Sequence, residues 1–524
     1  MIVKGFTLNL ARVVTAHAGQ RPDHVAIVHG DREVTYAQLD VMGAKVAAWL
    51  LEHGVVRGDR ILYYSENSIE LLATYMGAAR IGAVFAPVNA TFKLREMTYV
   101  AENAQAAIAF VSADLLPEYQ QFSLAAPELP KTIVVVGGEE RSYTAHSFTT
   151  ILDETAEAEI VDVDDAWPVL ISYTSGSTSN PKPVLRSHGS EIWSAQTYTD
   201  VWDYQPGDRA LIGLPLAWVY GLSTTTTALL TAGATIVLLS HFNPVRVLET
   251  IETSAVTLFA GTSTMFVKML NVFRKQPTDL RSIRNFYIGG EPINRAVAEE
   301  FEHITGKRIW EGYAATESFP ILATMPRHDT DAPRNTCGRL VPGAQIRLVD
   351  EWGVPVADGA IGEAQFTCPG RMLAYFREPE LTETRLTSDG WVRSGDLLRR
   401  DDDGFYFVVG RLSEMIIRGG SNIAPSEVES AIVSLDGVLD ATVVSVPDEE
   451  YGESLVAFVA TDGGTIDEST LRTHLKIQLA AFKIPSTFYF DYELPSGKTG
   501  KKDRRAVSDI AKQLASATAS EPVA

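Results

Sequence analysis

Cysteine is nearly missing from this chain, with Cys337 and Cys368 the only two in 524 residues. Two thiols cannot build a disulfide framework, and their neighbours give no metal-ligand spacing, so a reducing compartment is expected. Positive charge is also in short supply. Lys and Arg number 45 against 66 Asp and Glu, a formal charge of -21, so the surface repels nucleic acid and anionic lipid, and neither is expected as a partner. The one basic run is GKTGKKDRR, Gly497 to Arg505. No repeat of solenoid period occurs. The Walker pattern GxxxxGK[ST] is absent too: GKT at Gly497–Thr499 has Tyr492 where the first glycine would stand. The opening run MIVKGFTLNLARVV is too weakly apolar for a secretory signal. The longest uncharged span, 210–240, is long enough to cross a bilayer. Gly213, Pro215, Gly221, Gly233 and the threonines Thr224–Thr227 divide it into strand, turn, helix and strand instead. A cytoplasmic protein without a membrane partner is expected.

What is present is apolar material for more than one core, 45% hydrophobic over a length that exceeds one domain. Thr35–Gly54 has helical apolar spacing and a terminal glycine. Short apolar runs follow at 60–65, 83–88, 108–111, 132–136, 168–172, 209–213, 234–238, 256–259 and 286–288, with helical patterns between most of them. Such alternation predicts an α/β fold of doubly wound, mostly parallel sheets. From 335 to 409 short strands and many glycines predict a small β-rich subdomain. After residue 410 come helix, two strands, helix and strand, which predicts a small α+β domain. The expected domains are therefore 1–409, including the β-rich 335–409, and 410–524.

Between the run Pro168–Ser172 and a predicted helix from His188 stands YTSGSTSNPK, Tyr173–Lys182, with six Ser, Thr and Gly residues within seven positions. Backbone N–H groups, hydroxyls and the Lys182 ammonium on one short loop suit a polyphosphate. A flexible Ser/Gly linker is the alternative. Further on, EGYAATE (Glu311–Glu317) offers an aromatic ring, a hydroxyl and a carboxylate at a strand end, where Glu317 could hold Mg²⁺ or be a solvated acid. In GWVRSGDL (Gly390–Leu397), Asp396 could accept two ribose hydroxyls or be a turn acid. GRLSEMIIRGGSNIAPSEVE (Gly410–Glu429) begins with a glycine and Arg411 at the expected joint.

Together with YIGGEP (Tyr287–Pro292) and LPSGKTGKKDR (Leu494–Arg504), these runs resemble the adenylate-forming superfamily of acyl-CoA synthetases, free-standing adenylation enzymes and beetle luciferases. The resemblance extends from about Gly30 to Arg504 and implies an AMP-forming ligase that uses ATP and Mg²⁺, with CoA as acyl acceptor. It assigns Thr174, Ser175, Gly176, Ser177, Thr178 and Lys182 to the β- and γ-phosphates. Gly290, Glu291 and Pro292 would cover one face of adenine and Tyr313 the other, Glu311 and Gly312 would also contact ATP or AMP, and Thr316 would touch the α-phosphate. Glu317 would bind Mg²⁺, and Asp396 with Arg411 the ribose. Lys501, followed by Arg504 three residues on, would be the mobile catalytic lysine.

Trp218 in PLAWVYG (Pro215–Gly221) replaces a histidine frequent in relatives, and Ala314 a glycine. With Tyr220, Ile288 and Gly289 they would line the acyl pocket and narrow it toward a compact aryl, cyclic or short branched acid. A core aromatic is the plainer reading of Trp218. Ser413 stands at the pivot position usually held by Asp or Lys, Pro183 replaces a glycine after Lys182, and Gly497 a Thr or Asn. The competing acceptors are an amine, as in acyl–amino acid ligases, and the pantetheine arm of a carrier protein.

Overall fold

A computed structural model describes residues 8–138, 145–174, 180–291, 293, 295–419, 421–448, 450–461, 463, 466–492, 494–495 and 504–519. The chain divides into two compact units, one of Met1–Ile293, Ala298–Ile346 and Phe366–Arg393, the other chiefly Arg347–Gln365 and Ser394–Ala524.

The first unit contains two large sheets. The eight-stranded one has the order Ala374–Tyr375, Lys182–Ser187, Pro168–Thr174, Val84–Val88, Arg60–Tyr64, Ile108–Ser112, Ile133–Val136, Ala145–Ser147. Its pairings from Pro168–Thr174 to Ala145–Ser147 are parallel, as the alternation of strand and helix predicts. The nine-stranded sheet has a parallel centre of Val25–His29, Thr235–Leu238, Arg209–Ile212, Leu258–Gly261, Asn285–Gly289 and Ile309–Ala315. Antiparallel strands Arg32–Thr35 and Ser318–Ala323 flank this centre. Because the strands point one way, the loops after their C-terminal ends gather on one edge, where open α/β sheets bind ligands.

The helices are fixed by local chemistry. Tyr36–Glu52 starts with a capping box between Thr35 and Gln38. Ile69–Arg80 starts at Ser68, whose hydroxyl accepts the Leu71 N–H at 3.1 Å. The two helices meet at Gly43 and Gly77, where a Cβ on Gly77 would lie 2.8 Å from the Gly43 carbonyl oxygen.

Gln345–Val349, Gly362–Thr367, Val392–Arg400 and Tyr406–Arg411 form a four-stranded sheet. The last sheet contains Ser421–Ile423, Ile416–Arg418, Gly452–Thr461, Val438–Asp448 and Thr487–Phe490. Strand periodicity of two puts Val443, Leu455 and Ala457 in one apolar core with Leu471 and Leu475. Val444, Val456 and Phe458 point the other way, against Val507 and Ala511 of the helix Arg504–Ala519. Among the described residues no helix is long and apolar enough to cross a membrane.

Candidate active site

The Ser/Thr/Gly run lies in sequence between two paired strands. Pro168–Thr174 pairs antiparallel with Lys182–Ser187, and Thr174 lies opposite Lys182. Lys182 is thus the first residue of a strand, held more firmly than a loop position would be. Ser175, Gly176, Ser177 and Thr178 lie outside the described residues. Tyr173, on the first of these strands, donates its hydroxyl to Asn103 Oδ1 at 3.0 Å. Pro183, on the second, accepts the Phe376 N–H at 2.7 Å. The ammonium of Lys182 is 6.0 Å from the Tyr375 ring centroid.

Glu317 occupies the turn between Ile309–Ala315 and Ser318–Ala323 and keeps only 6% of its surface exposed. Its carbonyl accepts the Met372 N–H at 2.7 Å. Carboxylate Oε1 accepts from the Tyr375 phenol and, at 3.2 Å, from Arg385 Nε. Burial and the neighbouring Glu317 charge push the Tyr375 phenol up, so it stays protonated and can only donate to this oxygen. Oε2 receives no donor among the described residues. One clamped oxygen and one open oxygen fit a single-carboxylate Mg²⁺ site completed by phosphate and water. No group of three or more His, Cys, Asp or Glu that could hold a metal by itself occurs among the described residues. Thr316, half-buried, lends its carbonyl to Arg186 Nη1 at 3.4 Å.

On the acyl side, backbone register sets Gly261 beside Ile288, Ile288 beside Glu311, and Gly289 beside Gly312. Two rings close on the glycine pair. A Cβ on Gly289 would come within 3.2 Å of Tyr220 Cζ, and one on Gly312 within 2.7 Å of Trp202 Cζ2. Tyr220 starts the π-helix Tyr220–Thr227 and donates its hydroxyl to the Gly261 carbonyl at 3.1 Å. Within that helix Thr225 and Thr227 donate back to the carbonyls of Tyr220 and Leu222, both at 2.9 Å. π-Helical turns of this kind are frequent at functional sites. Trp218, in the turn that leads into it, is half-buried rather than a core aromatic. Ile288 is buried and Ala314 half-buried, at a strand irregularity between Tyr313 and Ala315.

Gly290 adopts φ 83°, a left-handed value that glycine tolerates. Glu291 Oε1 accepts the Thr264 N–H at 3.2 Å at the start of the helix Ser263–Phe273, so this carboxylate faces the helix's positive end. Pro292 lies outside the described residues. The Tyr313 ring meets Phe366 edge-on at 6.1 Å. Burial raises the Glu311 carboxyl to about 7, against a smaller opposing pull from Arg308 and Arg334.

In the second unit Asp396 and Arg411 are directly opposed on neighbouring strands, with Nε 2.8 Å from Oδ1. Asp396 is buried while Arg411 is exposed, so the arginine can reach solvent without leaving its partner. Ser413 is exposed in the 3₁₀ turn Leu412–Glu414 that follows. Arg504 pairs with Glu429 at 2.7 Å and with Glu414 at 3.2 Å. Lys501 lies outside the described residues.

Four residues at these sites escaped the sequence reading: Tyr375, Arg385, Asn103 and Arg186. The first two belong to AYFREPELTETR, where an aromatic pair before Pro379 marks a strand running into a helix. Nothing in the local sequence marks Asn103 or Arg186, whose partners lie far along the chain.

This chain belongs to the AMP-binding enzyme family, whose model matches residues 14–376, and the model of the family's C-terminal domain matches 427–501. Indoleacetate–CoA ligase of Aromatoleum aromaticum is 32% identical over 497 residues, 94% of this chain and 96% of the relative. Among solved structures, the anthranilate CoA ligase AuaEII in complex with anthranoyl-AMP is 25% identical, with TM-score 0.89 over 98% of this chain and 99% of its own. ATP-bound MatB from Rhodopseudomonas palustris is 27% identical, with TM-score 0.87 over 97% of this chain and 100% of its own.

Proposed function

We propose that this protein is an AMP-forming acid–thiol ligase for a compact aryl acid. In the first step a carboxylate oxygen attacks the α-phosphorus of ATP, and the bond to pyrophosphate breaks. In the second the CoA thiol, losing its proton to solvent, attacks the acyl carbonyl and AMP leaves. The observation that carries this reading is the Glu317 carboxylate, clamped on one oxygen and open on the other, in the same unit as the paired strands on which Thr174 lies opposite Lys182.

Two anions must meet for adenylation, and pyrophosphate gathers negative charge as it departs. Lys182 and Lys501 supply positive potential where that charge develops. Mg²⁺ on Glu317 would neutralise further phosphate charge. Ser175, Gly176, Ser177 and Thr178 donate to the β- and γ-phosphates. Tyr313 and the run Gly290, Glu291 and Pro292 flank adenine, Thr316 touches the α-phosphate, and Asp396 with Arg411 holds the ribose. The small domain turns about Ser413, at a joint between residues 409 and 410. The relatives named for aryl acids support an aryl substrate, as does the Tyr220 ring packed over Gly289. A cytoplasmic site of action accords with free thiols at Cys337 and Cys368. Acid-dependent exchange of pyrophosphate into ATP, over a panel of aryl and aliphatic acids, tests the first step. Mass analysis of products with CoA and then with amino acids tests the second, and an amide without a thioester would overturn the acceptor.

A further inference from the structure

Glu317 is paired before any metal reaches it. Arg385, the last residue of the helix Pro379–Arg385, sets its Nε 3.2 Å from Glu317 Oε1, the same oxygen that takes the Tyr375 phenol. The two donors differ in exposure. Tyr375 is 1% exposed and belongs to a strand, whereas the Arg385 side chain is 25% exposed at a helix end. Lys182, 6.0 Å from the Tyr375 ring, adds a second positive charge nearby. A free divalent cation approaching Oε2 therefore meets a carboxylate whose charge is already countered, and a guanidinium that repels it. A nucleotide polyphosphate brings enough negative charge to reverse that balance.

We infer that Arg385 is a positioning residue that guards Glu317 and makes metal capture conditional on ATP. It holds the carboxylate rotamer when no metal is bound and disfavours the free ion. Once phosphates are present, the metal and the arginine have separate anionic partners. This inference rests on the reading of Glu317 as the Mg²⁺ ligand.

The test is a titration with Mn²⁺ followed by electron paramagnetic resonance, with and without α,β-methylene-ATP, in the full-length wild type, Arg385→Met, Arg385→Lys and Glu317→Gln. Free Mn²⁺ should bind wild type weakly and the nucleotide should tighten it. Arg385→Met should bind free Mn²⁺ about tenfold more tightly, the size expected of a partly screened charge at this range. Arg385→Lys should behave as wild type, which a merely structural role would not require. Equal free-Mn²⁺ affinity in wild type, Arg385→Met and Arg385→Lys, with affinity in the nucleotide complex lost only in Glu317→Gln, overturns the role of Arg385 and leaves the metal reading standing. Undiminished Mn²⁺ affinity in the nucleotide complex of Glu317→Gln overturns both.

Discussion

Arg186 and Glu191 form an ion pair from which water is wholly excluded, both side chains being 0% exposed. The guanidinium also donates to the Gly370 carbonyl at 2.9 Å and to Ser194 Oγ at 3.2 Å, and lies 3.6 Å above the Phe319 ring. Tyr75 donates to the other oxygen of Glu191 at 3.3 Å. With the bond to the Thr316 carbonyl, one buried cation fastens the segments on either side of Glu317 and Met372.

Removing half of a buried pair strands the other half, so Arg186→Met should lose about 3–5 kcal/mol of stability. Arg186→Met with Glu191→Leu should recover much of that, because no charge is left unpaired. Activity should not recover with it. The Thr316 carbonyl would still lack its anchor, and KM for ATP should stay raised in the stable double variant. Thermal melts beside steady-state kinetics check both halves; a double variant with wild-type KM would show that Arg186 serves stability alone.

The glycine pair in the nine-stranded sheet predicts two different failures from the same small change. Gly312→Ala drives a methyl to 2.7 Å from Trp202, a ring stacked on Tyr287 at 4.7 Å and buried. It has no room to yield, and overpacking should cost about 1–3 kcal/mol. Gly289→Ala meets the half-buried Tyr220 at 3.2 Å, where the ring can give. Its expected effect is a raised KM for the acid with little change in melting temperature. Trp218→Ala should widen the range of accepted acids, read as kcat/KM for a bulky acid rising relative to a small one. Unchanged ratios would remove Trp218 from the pocket.

The parallel strands and the small domain were legible because each buried strand is a short apolar run and each crossover helix has its own period. Most expected strands lie within two residues of those observed. Lys182–Ser187 was not, since a strand containing Lys, Pro, Arg and Ser carries no apolar signature. It is held by pairing with Pro168–Thr174 and by Ala374–Tyr375 at its other edge. The π-helix was hidden for a similar reason. Four consecutive threonines look like a helix breaker, whereas the hydroxyls of Thr225 and Thr227 bond to carbonyls four and five residues back and support the turn. The site was legible where one segment holds several chemical groups, as in EGYAATE. It was illegible where a group is set by a distant partner, as Tyr375 is by Glu317.

Glu311 gives the protein a pH signature near neutrality. Its carboxyl stands at about 7 in the fold against an ordinary 4.5, with burial the main cause. The folded chain therefore binds this proton more tightly than the unfolded chain. The contribution is fully present below about pH 4.5 and is lost as pH rises through 7, a difference on the order of 1–3 kcal/mol. Glu311→Gln removes the titration. Its melting temperature should match wild type near pH 5 and exceed it at pH 8, and parallel curves would place the carboxyl in water.

Lys501 lies within the match to the C-terminal family domain, which ends on it. Adenylation joins two anions and expels a third, so an ammonium near the α-phosphate lowers the barrier to that step. At an effective dielectric near 20, a charge about 4 Å away is worth on the order of 4 kcal/mol. Lys501→Ala should therefore slow acyl-adenylate formation by roughly 10² to 10³, about 3–4 kcal/mol of barrier. Thioester formation from a supplied acyl-adenylate starts after pyrophosphate has gone and should change far less. Lys498→Ala, which removes the other lysine that follows a glycine, should leave both steps near wild type. Single-turnover measurement of each half-reaction separates these outcomes. Adenylation by Lys501→Ala within twofold of wild type would transfer the role elsewhere, first to Lys498.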